Sequence, residues 1–168
     1  YSDLEPRVFP FRDPATLLYN REFFQSRLDL AFERSKRRPE FTFAVVILQI
    51  QFINRSEEAI QPEIESMILA EIATRLKHNL RPTDTLAHFS GWKFLTLHEE
   101  LRTNDDIEVI VERLQRELSR PYQVGPEDFK GVVSCGIAVD AWRYKQSDEM
   151  IDAAKEALSK ALTVQKRF

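Results

Sequence analysis

Cysteine is all but missing from this chain. Cys135 is the only one in 168 residues, which excludes an internal disulfide and suits a reducing compartment, so a cytoplasmic location is expected. The thiol lies in an apolar run with no histidine nearby in sequence, the setting of a small core residue and not of a nucleophile. Long hydrophobic runs are missing as well. No stretch approaches the roughly 20 apolar residues that cross a bilayer, and no basic start leads into an apolar core as in a signal peptide, so no membrane contact is expected of this domain. An excess of one charge is also absent: 24 Lys and Arg against 27 Asp and Glu leave a net charge of -3, a mixed surface that argues against DNA as a partner. His78, His88 and His98 are spread evenly, without the clustering of metal ligands, so no zinc site is expected.

What remains is enough for one folded domain. Hydrophobic residues make up 43% of the chain, sufficient at this length to bury a core. There is no internal repeat and no low-complexity tract. Residues 1–12, which begin at Tyr1 and not at methionine, are read as the end of a connector from other domains of the same polypeptide; residues 13–168 are read as the domain.

Periodicity alternates between helix and strand. Asp13 can cap a helix with Pro14 in its first turn, and Phe24, Leu28 and Phe32 recur at four-residue spacing before a stop at Lys36-Arg37-Arg38-Pro39. That basic triplet is read as a solvated helix end complementing the helix dipole. The early part of Phe41 to Ile53 is apolar on both faces and predicts a buried central strand. Pro62 opens a second helix, with Ile64, Ile68, Ile72, Leu76 and Leu80 along one face. Thr85–Phe89 and Trp92–Leu97 predict an antiparallel hairpin about Ser90-Gly91. Ile107, Ile110, Val111, Leu114 and Leu118 mark a third helix ending near Pro121, and the chain turns at Gly125-Pro126. Val132–Val139 reads as a second buried strand and Ser147–Leu162 as the closing helix. The order α-β-α-β-β-α-β-β-α predicts an α+β sandwich, with helices packed on a largely antiparallel central sheet.

Five short motifs in order carry a resemblance. Asp13-Pro14-Ala15-Thr16-Leu17-Leu18-Tyr19-Asn20-Arg21 looks like an opening element Asp-x-Leu-Thr-Gly-Leu-x-Asn-Arg. Phe43–Asn54 fits a first core strand, Leu69-x-x-Ile72-Ala73-x-Arg75-Leu76 the following helix, and Ser134-Cys135-Gly136-Ile137-Ala138 a late strand. Between them, Arg81-Pro82-Thr83-Asp84 precedes Ser90-Gly91-Trp92-Lys93-Phe94, as an Arg-x-x-Asp element precedes a Gly-Gly-(Asp/Glu)-Glu-Phe turn. The chain resembles the GGDEF family, the diguanylate cyclases and their relatives, over nearly its whole length. The resemblance implies a nucleotide-cyclase palm-like fold with a ferredoxin-like core.

It also implies a site without its acids. A cyclase joining two nucleoside triphosphates needs divalent cations, and Mg²⁺ demands oxygen ligands, usually carboxylates. The family's Asp-x-Asp at the end of the first strand falls on Gln49 and Gln51, and its second metal carboxylate on Trp92. Lys93 carries a positive charge where the family carries a negative one. A guanine-reading aspartate maps onto Ser66, the Asn-Asp turn after the first strand onto Asn54–Glu58, and a phosphate-contacting lysine onto Leu162. The expectation is a chain that is not an enzyme, holds no metal and needs no cofactor. By themselves, Gln49 and Gln51 read as strand-end amides and Trp92 as a residue covering the sheet.

Arg81 and Asp84, by contrast, are what the family's product-binding inhibitory site requires. A guanidinium can clasp a phosphate or a guanine edge, and a carboxylate can accept from guanine N–H groups. Arg113 falls close to where a secondary arginine of that site is expected. The resemblance therefore implies cyclic di-GMP as a regulatory ligand. The same four residues also suit a plain connector, Pro82 stopping a helix and Asp84 satisfying backbone donors in a turn. The alternatives are a structural or interaction domain, dimerising or relaying to neighbouring domains with no nucleotide; a GTP sensor, with the Lys93 ammonium standing in for metal; and a residual cyclase.

Overall fold

The computed structural model describes residues 11–14, 16–53 and 59–166, the last four by backbone alone. Helix α1 spans Arg21–Arg37, strand β1 Ala44–Phe52 and helix α2 Pro62–Asn79. Strands β2 (Thr85–Ser90) and β3 (Lys93–His98) form a hairpin. Helix α3 (Asp106–Ser119) is followed by β4 (Tyr122–Val124), β5 (Glu127–Phe129) and β6 (Gly131–Ala138). A 3-10 turn at Ala141–Arg143 leads into α4 (Asp148–Lys166).

Four strands make the main sheet in the order β2-β3-β1-β6, antiparallel at every pair. Strand β1 is flanked on both sides and its residues Ala44–Leu48 are buried on both faces, as the apolar early part of the run predicts. Its even-numbered side chains, Ala44 to Phe52, join one core with α2 and α3; Val45 and Ile47 join a second with α1 and α4. Three layers result, and truncating a residue such as Leu48 would cost about 2–5 kcal/mol. Helix α4 lies directly on β6, because a Cβ at Gly136 would overlap the Ala154 carbonyl and the Leu158 amide. Hence the glycine in the Ser-Cys-Gly-Ile-Ala strand.

Arg75 closes the other layer. From α2 it donates to the carbonyls of Glu117, Arg120 and Pro121, at 3.1, 2.6 and 2.8 Å, where α3 runs out of internal donors. Its guanidinium also lies 3.9 Å from the centre of the Tyr122 ring. Burial pushes the Tyr122 phenol up to about 12, and its hydroxyl donates to the Leu118 carbonyl.

Three expectations need correction. Asp13 does not cap α1: Asn20 does, its side chain accepting from the Phe23 amide at 2.9 Å. The Asp13 carboxylate instead accepts from the Thr16 amide and hydroxyl, and Leu17 turns left-handed at φ 60, which ends any helix started at Pro14. The hairpin turn is Gly91-Trp92 and not Ser90-Gly91, since Ser90 pairs with Lys93 and Gly91 takes φ 50. Between α3 and α4 there are three strands, not two: β4 and β5 form a small separate hairpin around Gly125-Pro126. The segment 54–58, expected to replace a guanine-reading turn, lies outside the described residues, and Ala15 does too.

Candidate functional site

Two places on this frame concern function. The first is the end of the sheet that carries the β2–β3 turn. Gln49 lies in register between Lys93 of β3 and Ser134 of β6, so all three face the α1/α4 layer. Its Oε1 is buried without a hydrogen-bond partner. Gln51, opposite Val132, is exposed. Trp92 turns the other way. It is 3% exposed, and its indole meets Phe52 edge-on at 5.0 Å in the α2/α3 core, while its carbonyl accepts from the Ile50 amide at 3.1 Å. Phe94 is fully buried beside it in the same core, and Ser90 and Gly91 are exposed.

His88 ties this turn to the opening element. One ring nitrogen is 3.0 Å from Asp13 Oδ2 and the other 2.8 Å from the Gly91 carbonyl. Both partners are acceptors, so the ring donates to each only when it carries two protons. Burial would raise the Asp13 carboxyl, but the Thr16 and His88 hydrogen bonds outweigh it and hold the group below its ordinary value. Nearby, Phe89 is flanked by the Arg21 guanidinium at 4.7 Å and the Lys155 ammonium at 4.9 Å.

A divalent cation does not suit this donor set. The side chains in register at the turn are an amide, a hydroxyl and an ammonium; the Asp13 carboxylate is taken by Thr16 and His88, and the Trp92 side chain points into the core and offers no oxygen. Among the described residues no cluster of three or more His, Cys, Asp or Glu is arranged to hold a metal. Ser66 is exposed and donates back to the Pro62 carbonyl, and Leu162 packs against the α1/α4 core.

The second place is the turn before β2. Asp84 is almost enclosed, its side chain 3% exposed against 45% for Arg81. It accepts from the Arg81 amide at 2.8 Å and from Arg81 Nη2 at 3.2 Å. Arg81 Nη2 also donates to the Glu99 carbonyl at 2.6 Å. His98 is buried behind, with Nδ1 3.6 Å from Asp84 Oδ2, beyond hydrogen-bond length but within reach of charge. Burial raises the Asp84 carboxyl; the His98 ring, the Arg81 amide and the Arg81 guanidinium more than reverse this and leave it below the ordinary carboxylate value.

Arg81, Asp84 and Arg113 share one cleft of about 390 Å³ between this turn and α3. Arg113 Nη2 donates to the Asn79 carbonyl at the end of α2, at 3.0 Å. Glu100, Arg102 and Asp106 add further charged groups to its lining. Arg102 had no signal in the sequence, because it sits in an irregular stretch where no periodicity assigns a direction.

The diguanylate cyclase GGDEF-domain model matches residues 11–167. The chain is a GGDEF domain. It is 30% identical over 127 residues, 76% of its length, to the bifunctional diguanylate cyclase/cyclic di-GMP phosphodiesterase MucR of Pseudomonas aeruginosa, of which it spans 18%. To the response regulator PleD of Caulobacter vibrioides it is 25% identical over 152 residues, 89% of its length and 33% of PleD. It thus covers a third or less of these relatives. In structure it resembles the diguanylate cyclase SiaD of Pseudomonas aeruginosa, solved with its activator SiaC, at TM-score 0.81 and 25% identity over 92% of this chain and 59% of that one. The GGDEF domain of DgcB from Caulobacter crescentus, solved in complex with c-di-GMP, superposes at TM-score 0.83 with 19% identity over 94% and 93% of the two chains. The antiparallel sheet and its two helical layers are those of a GGDEF domain.

Proposed function

We propose that this GGDEF domain makes no cyclic di-GMP and binds it as a regulatory ligand at the Arg81 cleft. The observation that carries the reading is the convergence of Arg81, Asp84 and Arg113 on one cleft while the opposite turn, Ser90-Gly91-Trp92-Lys93, carries no acid of its own. Arg81 makes the contact. Two of its bonds are spent on Asp84 and Glu99, and the half-exposed guanidinium keeps further N–H donors for a phosphate oxygen or a guanine edge. Asp84, enclosed and already accepting from Arg81, acts chiefly by aiming it. Arg113 and Arg102 face the same cleft beside the acids Glu100 and Asp106, and supply its other guanidinium donors. At the other turn, Gln49, Trp92 and Lys93 give magnesium no charge to replace its water, so the loss of turnover follows from the chemistry of the donor set.

Titration calorimetry with cyclic di-GMP tests this. Wild type should release heat and Arg81→Ala should bind at least about tenfold more weakly, as expected when a charge-assisted contact is lost. Absent heat, or an unchanged Arg81→Ala titration, removes the reading; product from GTP and Mg²⁺ removes its first half. One observation favours a structural or interaction domain instead: Asp84 is wholly engaged by its own turn. That reading predicts normal folding and no nucleotide binding of any kind.

A further inference from the structure

The Arg81–Asp84 turn is a wall with a hollow on each side. Behind the cleft shared with Arg113 lies another of about 280 Å³, between the opening segment and the end of α2. Arg12, Lys77 and Arg81 face it, over an apolar floor that includes Leu18 and Leu86. The arrangement is built and not incidental. Arg12 pairs backbone to backbone with Tyr19, and its guanidinium lies over the Tyr19 ring at 4.0 Å. The other face of that ring stacks on Phe23 at 4.0 Å and 21°. The Tyr19 carbonyl accepts from the His88 amide at 3.1 Å, which fastens the segment to β2. Arg12 spends one donor on the Leu17 carbonyl, at 3.3 Å. Neither Arg12 nor Lys77 has a carboxylate at ion-pair distance among the described residues, and the one acid of the hollow, Asp84, is enclosed and committed to Arg81.

We propose that this hollow is a second half-site for the dinucleotide, with Arg12 and Lys77 taking one phosphodiester while Arg81 serves both sides of the wall. This rests on the cyclic di-GMP reading above and adds residues to it. A ligand with two phosphates and two bases can place charge on both sides of a single arginine. Arg12 is held in advance by its ring stack, so ordering it costs little when the ligand arrives. The apolar floor beneath the cations suits the flat face of a base.

Calorimetry with cyclic di-GMP at two salt concentrations tests it on the full chain. Arg12→Ala/Lys77→Ala should bind about tenfold or more weakly than wild type, and with a shallower salt dependence. Lys77→Glu, exposed in the last turn of α2 and so opposed only by the helix dipole, should leave the chain folded and weaken binding at least as much as Lys77→Ala. If wild type binds, Arg81→Ala does not, and both Lys77→Glu and the double variant stay within about twofold, a margin under half a kcal/mol, the second half-site is wrong and the Arg81 cleft stands. If wild type itself does not bind, both fall together.

Discussion

The turn after β2 and the turn before it sit at opposite ends of the same hairpin and have gone opposite ways. At Gly91-Trp92 the side chain that the family resemblance places beside metal is swallowed by the core, 3% exposed against Phe52. At Arg81-Asp84 the acid is swallowed and the arginine is left facing solvent. A polar group survives at a surface when something holds it there. Arg81 is held by Asp84 and the Glu99 carbonyl. The lesson is that residue type alone does not mark a site; what matters is which member of each pair is enclosed.

Trp92→Glu attacks that contrast hardest. It empties a ring-sized space and puts a carboxyl in it, so it should cost at least about 3 kcal/mol in chemical denaturation, with no gain of GTP turnover in a Mg²⁺ assay. A cost under 1 kcal/mol would mean the indole is not a core member. Arg81→Ala should do the reverse, weakening cyclic di-GMP at least about tenfold in calorimetry while lowering stability by about 1–3 kcal/mol, because it leaves the enclosed Asp84 carboxylate without its guanidinium and the Glu99 carbonyl without its donor.

Acid should next unpick both ends. Asp13 and Asp84 each ionise more readily in the folded chain than at their ordinary 3.8. Each therefore stabilises the fold above that range, and the contribution disappears as pH falls through the lowered values. Denaturation midpoints measured from pH 6 to pH 2 should drop over that window, and Asp84→Asn should flatten the drop. A drop of the same size in Asp84→Asn would remove Asp84 from the cause. The smallest effect belongs to Lys93→Glu. It should move stability by about 0.5 kcal/mol or less and should not restore turnover, because Gln49 and Trp92 remain.

Much of this frame could be read from patterning. The stripe Ile68, Ile72 and Leu76 is buried as its spacing requires, and β1 is central because no polar face interrupts it. What escaped did so for identifiable reasons. An aspartate before a proline signals a cap wherever it stands, and only the left-handed Leu17 shows that Asp13 serves a local turn. Ser90-Gly91 looked like the turn because glycine dominates such signals, whereas Trp92 is both turn and core. Strands β4 and β5, of 3 residues each, are too short for a period to emerge. At the Arg81 turn the motif was visible, but its internal bonding was not. His98 and Glu99 reach Asp84 and Arg81 from a neighbouring strand end, a long-range contact that local sequence does not encode.

Phe52 stands edge-on to Trp92, Tyr122 and Phe129 at 5.0, 6.0 and 6.1 Å. One phenyl group is thus the hub on which the hairpin tip and both strands of the small β4–β5 hairpin lean. Replacing the indole with an acid would strip one face of contact from Phe52, and with it from the three-ring cluster that Phe52 forms with Tyr122 and Phe129. Placing a metal ligand at that corner would mean redesigning the hub first.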